Sequence, residues 1–317
     1  AEDWKAALDV YQRAIRLQPE NNELVTRIGT CCLELGETEA AIAAIAPAAE
    51  NNPDDLTLQK TAALAYTQAD MWEDALPVLE RIVLLAPDDV YALKQAALAS
   101  KNSGNRQHSI ELLHRAVALE PENAEVYSQL AGVYASEQRW EEARDSIRTA
   151  IDNDGRNDDF YHQLGRYQNA LGDASGALSA FSRASEISPD NLDVLEALAE
   201  AQFQAENFQA AHSTFLRAAD AQQTQTVEGT CPRSFANLGR AGDALVAQQQ
   251  EPQAIALWQK ALLVDPQDAS LQKKVGGALL RQGRLDEASK AYENAILADH
   301  GDADALLGAA EAAIALG

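Results

Sequence analysis

The chain has 317 residues, is 46% hydrophobic and only 6% aromatic, and sets 25 Lys and Arg against 49 Asp and Glu for a formal charge of −24. That length exceeds one ordinary hydrophobic core, so several domains or a repeat array is expected. So acidic a surface repels phosphate backbones and anionic bilayers, which argues against nucleic acid as a partner, and no apolar run reaches the ~18 residues of a membrane span.

Alanine and leucine dominate the apolar set, which favours helices over strands. Residues 1–21 read as one helix, Trp4 to Leu17, closed by Pro19. From there stoppers recur every 34 residues, at Pro53, Pro87, Pro121, Gly155 and Pro189. Proline ends a helix because it lacks an N–H and its ring clashes with the preceding turn, and a period of 34 marks a helix-turn-helix solenoid. Residues 22–223 therefore form six helical hairpins. Small residues keep the period at Ala7, Ala41, Ala75, Ser109, Ala143, Ala177 and Ala211, and again at Ala14, Ala48, Ala116, Ala150, Ala184 and Ala218, with Ile82 in the same column. Larger packers stand between them at Tyr11, Ile45, Leu79, Leu113, Ile147, Phe181 and Phe215. Gly36, Gly104 and Gly172 mark tight turns inside hairpins, where positive φ suits glycine.

The ladder then slips. Pro266 follows Pro189 by 77 residues, nine more than two periods of 34. The polar stretch 224–234 is expected to be an insertion loop or a frayed helix extension, with Cys231 its most exposed thiol. The next helix phases equally well on Phe235-Leu238-Gly239 or on Leu238-Ala241-Gly242. Residues 235–302 form two more hairpins, and 303–317 a single first helix.

In first helices the columns read Val25-Ile28-Gly29-Cys32, Tyr127-Leu130-Ala131-Tyr134 and Tyr161-Leu164-Gly165; in second helices, Ala177-Phe181-Ala184-Pro189 and Ala288-Tyr292-Ala295. This pattern resembles the tetratricopeptide repeat (TPR) family and extends over essentially the whole chain. The resemblance implies an all-α, right-handed superhelical solenoid of antiparallel helix pairs, about eight full repeats with a half-repeat at each end. Half-repeats at both ends suggest a piece of a longer protein.

The resemblance also implies a concave groove walled by first helices, in which a peptide or partner segment lies. The family's carboxylate clamp needs an Asn one turn after its first Lys. Lys60 and Lys94 hold the Lys position, but Leu64 and Leu98 stand where Asn is required, so that mode is disfavoured. Instead Gln95, Gln129 and Gln163 repeat at one groove position, 34 apart. A side-chain amide offers a donor and an acceptor to a peptide backbone, and the row resembles the asparagine ladders of the family. Around it lie Lys60, Lys94, Lys101, Tyr91, Asn102, His162 and Arg166, pointing to an acidic or neutral extended ligand unless the lysines pair with neighbouring carboxylates. Asp193, Glu196 and Glu200 make the following stretch acidic.

Five histidines are scattered at 108, 114, 162, 212 and 300. They form no HExxH or i, i+4 pair, so neither a metal, a cofactor nor catalysis is expected. Cys31 and Cys32 are adjacent, pointing about 100° apart on a helix, and read as reduced thiols that lean toward a reducing compartment. Cytoplasm is the expected location, bacterial periplasm the alternative. The expected function is a protein-interaction scaffold. A structural spacer in a secretion or polysaccharide-export machine, or the regulatory arm of an enzyme lying outside these residues, are the competing readings.

Overall fold

The computed structural model describes residues 2–225 and 232–317, and the described residues contain eighteen α-helices and no strand. They divide into two compact units, 1–155 and 156–317. The first holds α1 (Glu2–Ile15), α2 (Asn22–Glu34), α3 (Thr38–Asn51), α4 (Leu56–Gln68), α5 (Trp72–Leu85), α6 (Val90–Asn102), α7 (Arg106–Leu119), α8 (Ala124–Ser136) and α9 (Trp140–Asn153). The second holds α10 (Asp158–Ala170), α11 (Ala174–Ile187), α12 (Leu192–Gln204), α13 (Phe208–Gln225), α14 (Pro232–Ala247), α15 (Glu251–Leu262), α16 (Ala269–Arg281), α17 (Leu285–Ala298) and α18 (Ala303–Leu316). Within each unit every helix packs on the next, and first helices of neighbouring hairpins also touch, as α2 does α4 and α6 does α8.

Local chemistry sets each boundary. An Asn or Asp stands two residues after each stopper position in the first six repeats, at Asn21, Asp55, Asp89, Asn123, Asn157 and Asn191, and again at Asp268 and Asp302. Each caps a first helix, accepting a backbone N–H two or three residues on. Such a cap typically contributes about 1 kcal/mol. The turn inside each hairpin needs one left-handed residue. Gly36, Gly104, Gly172 and Gly283 supply it at φ 73–85°, while Asp70, Gln138, Glu206 and Gln249 are forced to φ 55–61°.

The hairpins close by fitting a small residue of the first helix to a bulky one sixteen residues later. A Cβ on Gly165 would stand 2.6 Å from the Phe181 ring, and one on Gly276 would stand 3.0 Å from Tyr292. Gly29 meets Ile45 in the same way. The same fit settles the phase of α14. A Cβ on Gly242 would stand 2.5 Å from Trp258 Nε1, sixteen residues on, whereas Gly239 instead accepts the Trp258 indole N–H through its carbonyl at 3.0 Å. The Leu238-Ala241-Gly242 register therefore holds, with Leu238 and Ala241 buried.

The expected columns form the core. Ala41, Ala75, Ser109, Ala143, Ala177 and Ala211 are fully buried, as are Ile45, Ile147, Phe181 and Phe215. Ala7, Tyr11, Ala14 and Ala48 are only half-buried. Arginines stitch second helices to the preceding repeat: Arg115 donates to the Pro87 carbonyl at 3.4 Å and Arg217 to that of Pro189 at 3.1 Å. Cys31 and Cys32 are buried free thiols whose pKa values burial raises, an effect the Arg27 charge opposes at Cys31 and Glu37 reinforces at Cys32. Around the expected 224–234 insertion, α13 continues to Gln225 and α14 begins at Pro232. Residues 226–231, including Cys231, lie outside the described residues.

The two kinds of hairpin turn make opposite predictions. Nothing lies within 4 Å of where a Cβ on Gly104 would be, so Gly104→Ala carries only the left-handed backbone cost and lowers stability by about 1 kcal/mol. Gln138→Gly relieves that cost and, after the extra chain entropy of glycine, raises stability by about 0.5 kcal/mol. Urea midpoints of the two variants, moving in opposite directions from the parent, check this.

Candidate peptide-binding groove

In the first unit three adjoining cavities run along the first helices, with α1 and α5 contributing to their walls. One of about 650 Å³ lies along α1, α2 and α4 between Trp4, Tyr11, Thr26, Arg27 and Thr61. The next, about 550 Å³, shares Thr30, Thr57 and Thr61 with it and continues to Glu34, Lys60, Leu64 and Gln68. A third, about 200 Å³, shares Lys60 and Leu64 with the second and ends at Tyr91 and Gln95 on α6. Together they make one trough across α1, α2, α4 and α6.

Threonine dominates the wall of the trough. The Thr26 hydroxyl donates to the Asn22 carbonyl at 2.9 Å, Thr30 to Thr26 at 2.9 Å, and Thr61 to Thr57 at 3.0 Å. With their protons returned to their own helix, these side chains present methyls and oxygen lone pairs. Sequence reasoning singled out none of these threonines; the signal available was a Thr pair four apart on each of two successive first helices, Thr26/Thr30 and Thr57/Thr61.

Two of the expected cations, Lys60 and Lys94, are paired. Lys60 Nζ lies 2.6 Å from Asp89, the cap of the next first helix. Burial of the Asp89 carboxyl works to raise its pKa, but the Lys60 bond and the Ala92 N–H outweigh that and hold it below the usual range. Lys273 makes the same bond to the Asp302 cap at 2.6 Å, which with the backbone N–H groups lowers the pKa of that aspartate. Lys94 meets an asparagine at that cap position, Asn123, and instead pairs with Glu125; its own side chain is buried. Lys101 is half-buried with its Nζ over Gly132, while Asn102 and Tyr91 are exposed.

The three glutamines differ. Gln95 lines the trough on α6, and one repeat on, on α8, Gln129 has its carbonyl oxygen Oε1 buried with no hydrogen-bond partner. Gln163 belongs to the second unit and is engaged within α10. Its Nε2 donates to Asp159 at 2.6 Å, and its Oε1 accepts the Tyr167 hydroxyl at 3.0 Å. Burial pushes the Tyr167 pKa up to about 12, so that hydroxyl keeps its proton at neutral pH. The signal was in the sequence as Asp159-Gln163-Tyr167, each four apart. His162 packs against Phe181 with ring centroids 5.7 Å apart, and burial first, then the charge of Arg166, lowers its pKa against the pull of three aspartates. Arg166 itself is exposed. Downstream, Glu196 accepts from Asn237 at 2.8 Å and Glu200 pairs with Arg240 at 3.4 Å. Among the described residues no group of three or more His, Cys, Asp or Glu side chains is arranged to hold a metal, and no helix is long and apolar enough to cross a membrane.

Comparison with known proteins yields one family. Tetratricopeptide repeat models match residues 1–64, 103–167 and 168–227, and again 240–299 and 276–317. Among solved structures the chain is similar to YrrB, described as a TPR protein with an unusual peptide-binding site, at 20% identity and TM-score 0.51 over 60% of this chain and 98% of that one. It is similar to MamA at 18% identity and TM-score 0.50 over 57% and 100% of the two chains, and to MamA of Desulfovibrio magneticus RS-1 at 19% and 0.50 over 54% and 96%. No curated protein sequence matches. At these identities the structural likeness carries the fold alone, but the repeat models extend over most of the length, and the chain belongs to the tetratricopeptide repeat family.

Proposed function

We propose that this chain is a non-catalytic interaction scaffold that holds an extended segment of a partner protein against the first helices of its first unit. The observation that carries the reading is the buried, unpartnered Oε1 of Gln129. A buried acceptor without a donor costs about 1–3 kcal/mol; Gln59 and Gln168 each carry one as well, and Gln129 is the one at an expected groove position. Turning the half-buried Gln129 amide outward would offer this oxygen to a backbone N–H of a ligand, and Gln95 stands one repeat away beside the trough to make a like contact. The ligand need not be acidic, because Lys60 and Lys94 are already neutralised by Asp89 and Glu125. Gln163, spent on Asp159 and Tyr167, is not needed for the contact. Tetratricopeptide repeats generally act as scaffolds, and the peptide-binding site named for YrrB is a precedent for the ligand class on this fold.

A photo-crosslinking amino acid at Tyr91, in the trough, is expected to capture a partner in cells of the source organism, while the same group at exposed Leu84 on the second helix α5 captures none. Capture at Leu84 alone favours a spacer held by its outer helices. Gln95→Ala with Gln129→Ala is expected to weaken the captured partner by about 1–2 kcal/mol, roughly five- to thirtyfold. Gln129→Met separates this role from a structural one. It removes the orphaned acceptor, so the free chain gains about 1 kcal/mol in stability while binding weakens. A loss of stability with binding unchanged would remove Gln129 from the site.

A further inference from the structure

We propose that the smallest of the three cavities, between α4 and α6, is a socket for one leucine- to phenylalanine-sized side chain of a non-acidic extended peptide. This rests on the groove reading above and adds the residue class the peptide must present. Leu79 and Ile82, each 2% exposed, lie at its base, with Ala63 and Ala92 beside them. Leu64 and Tyr91 form the mouth and remain 40% and 62% exposed in a chain of charge −24, where large apolar groups facing water gain nothing from folding. A volume of about 200 Å³ suits a single side chain and falls below the ~300–1,000 Å³ typical of drug-sized ligands.

The rim disfavours an acidic occupant and favours a peptide. Lys60, the cation there, is held by Asp89 at 2.6 Å, so the mouth attracts no carboxylate. The Thr67 hydroxyl donates to the Leu64 carbonyl at 3.0 Å and is likewise occupied. Gln95 and the Tyr91 hydroxyl are then the polar groups open to an occupant, and an amide suits a peptide backbone better than a hydrocarbon. The socket opens at Lys60 and Leu64 into the 550 Å³ stretch of the trough, which gives the rest of an anchored chain a path along the threonine wall. One buried apolar anchor flanked by weaker contacts is how such interfaces concentrate their affinity.

A phage-displayed library of random decapeptides, selected on the whole chain, provides the probe. Enriched peptides are expected to share one Leu, Ile, Met or Phe in fixed register, and changing it to Ala should weaken binding at least about tenfold. Leu64→Trp, which plugs the mouth, and Tyr91→Ser, which removes a wall, should each weaken binding by about tenfold or more with the circular dichroism spectrum and Tm retained. Both side chains are exposed, so either variant suffices if the other fails to fold. Peptides that lack a shared apolar residue, or that bind both variants normally yet lose affinity on Gln95→Ala with Gln129→Ala, would overturn the socket and leave the groove. Failure to enrich any peptide, or peptides indifferent to all four substitutions, overturns both.

Discussion

A small residue on each first helix, faced by a bulky one sixteen residues later on the second, is the constraint on which the rest depends. Gly165 against Phe181, Gly242 against Trp258 and Gly276 against Tyr292 leave no room for a Cβ. Where the small residue is alanine the partner is still fully buried, as with Ala199 and Phe215. Close approach of the two helices lets one large side chain fill the groove between them. Because the bulky residue comes from the second helix, the opposite face of the first helix is not needed for the core. The groove residues expected from the sequence all lie on first helices.

Electrostatics follow from the same stacking. The residue that caps one first helix falls beside the lysine of the preceding first helix, 29 residues earlier, in both Lys60–Asp89 and Lys273–Asp302. One carboxylate thereby serves a helix end and a neighbouring cation at once, which favours its charged form twice over. Exposed pairs of this kind add little stability. Their larger effect is to pair Lys60, the lysine that lines the trough, so that it offers an acidic ligand little free positive charge.

Periodicity made the fold legible. Prolines, alanines and bulky packers recur at 34 because each repeat meets its neighbour through the same positions, and a residue type under identical packing leaves an identical mark. The Asn/Asp caps recur just as strictly but share their column between two residue types, and the left-handed turn is marked by glycine in only half the hairpins, so both columns were fainter. The register of α14 could not be read, since Gly239 and Gly242 offer the same local pattern and only the Trp258 ring distinguishes them. Of the expected groove residues Lys60, Tyr91 and Gln95 line the trough, and the sequence did not show which groups are available. Whether a lysine or glutamine is free depends on what stands 29 or 31 residues away across a stacking contact, as for Lys60 and Lys94, or four away on the same helix, as for Gln163.

The slipped period shows how local this organisation is. Caps at Asn191 and Asp268 stand 77 apart and left-handed turns at Glu206 and Gln249 stand 43 apart, each nine more than the repeat requires. Beyond the slip the period of 34 resumes at once, with Asp268 and Asp302 as caps and Gln249 and Gly283 in the turns. Part of the added length is taken up by the helices themselves: α13 has 18 residues and α14 has 16, against 14 and 13 in the preceding hairpin, α10 and α11 taken in reverse order. In an array stabilised by nearest-neighbour contacts, an insertion disturbs the hairpins it joins and no others. The trough across α1 to α6 lies many repeats away in sequence and in a different unit, so its threonine wall, paired Lys60 and Gln95 are set by their own neighbours.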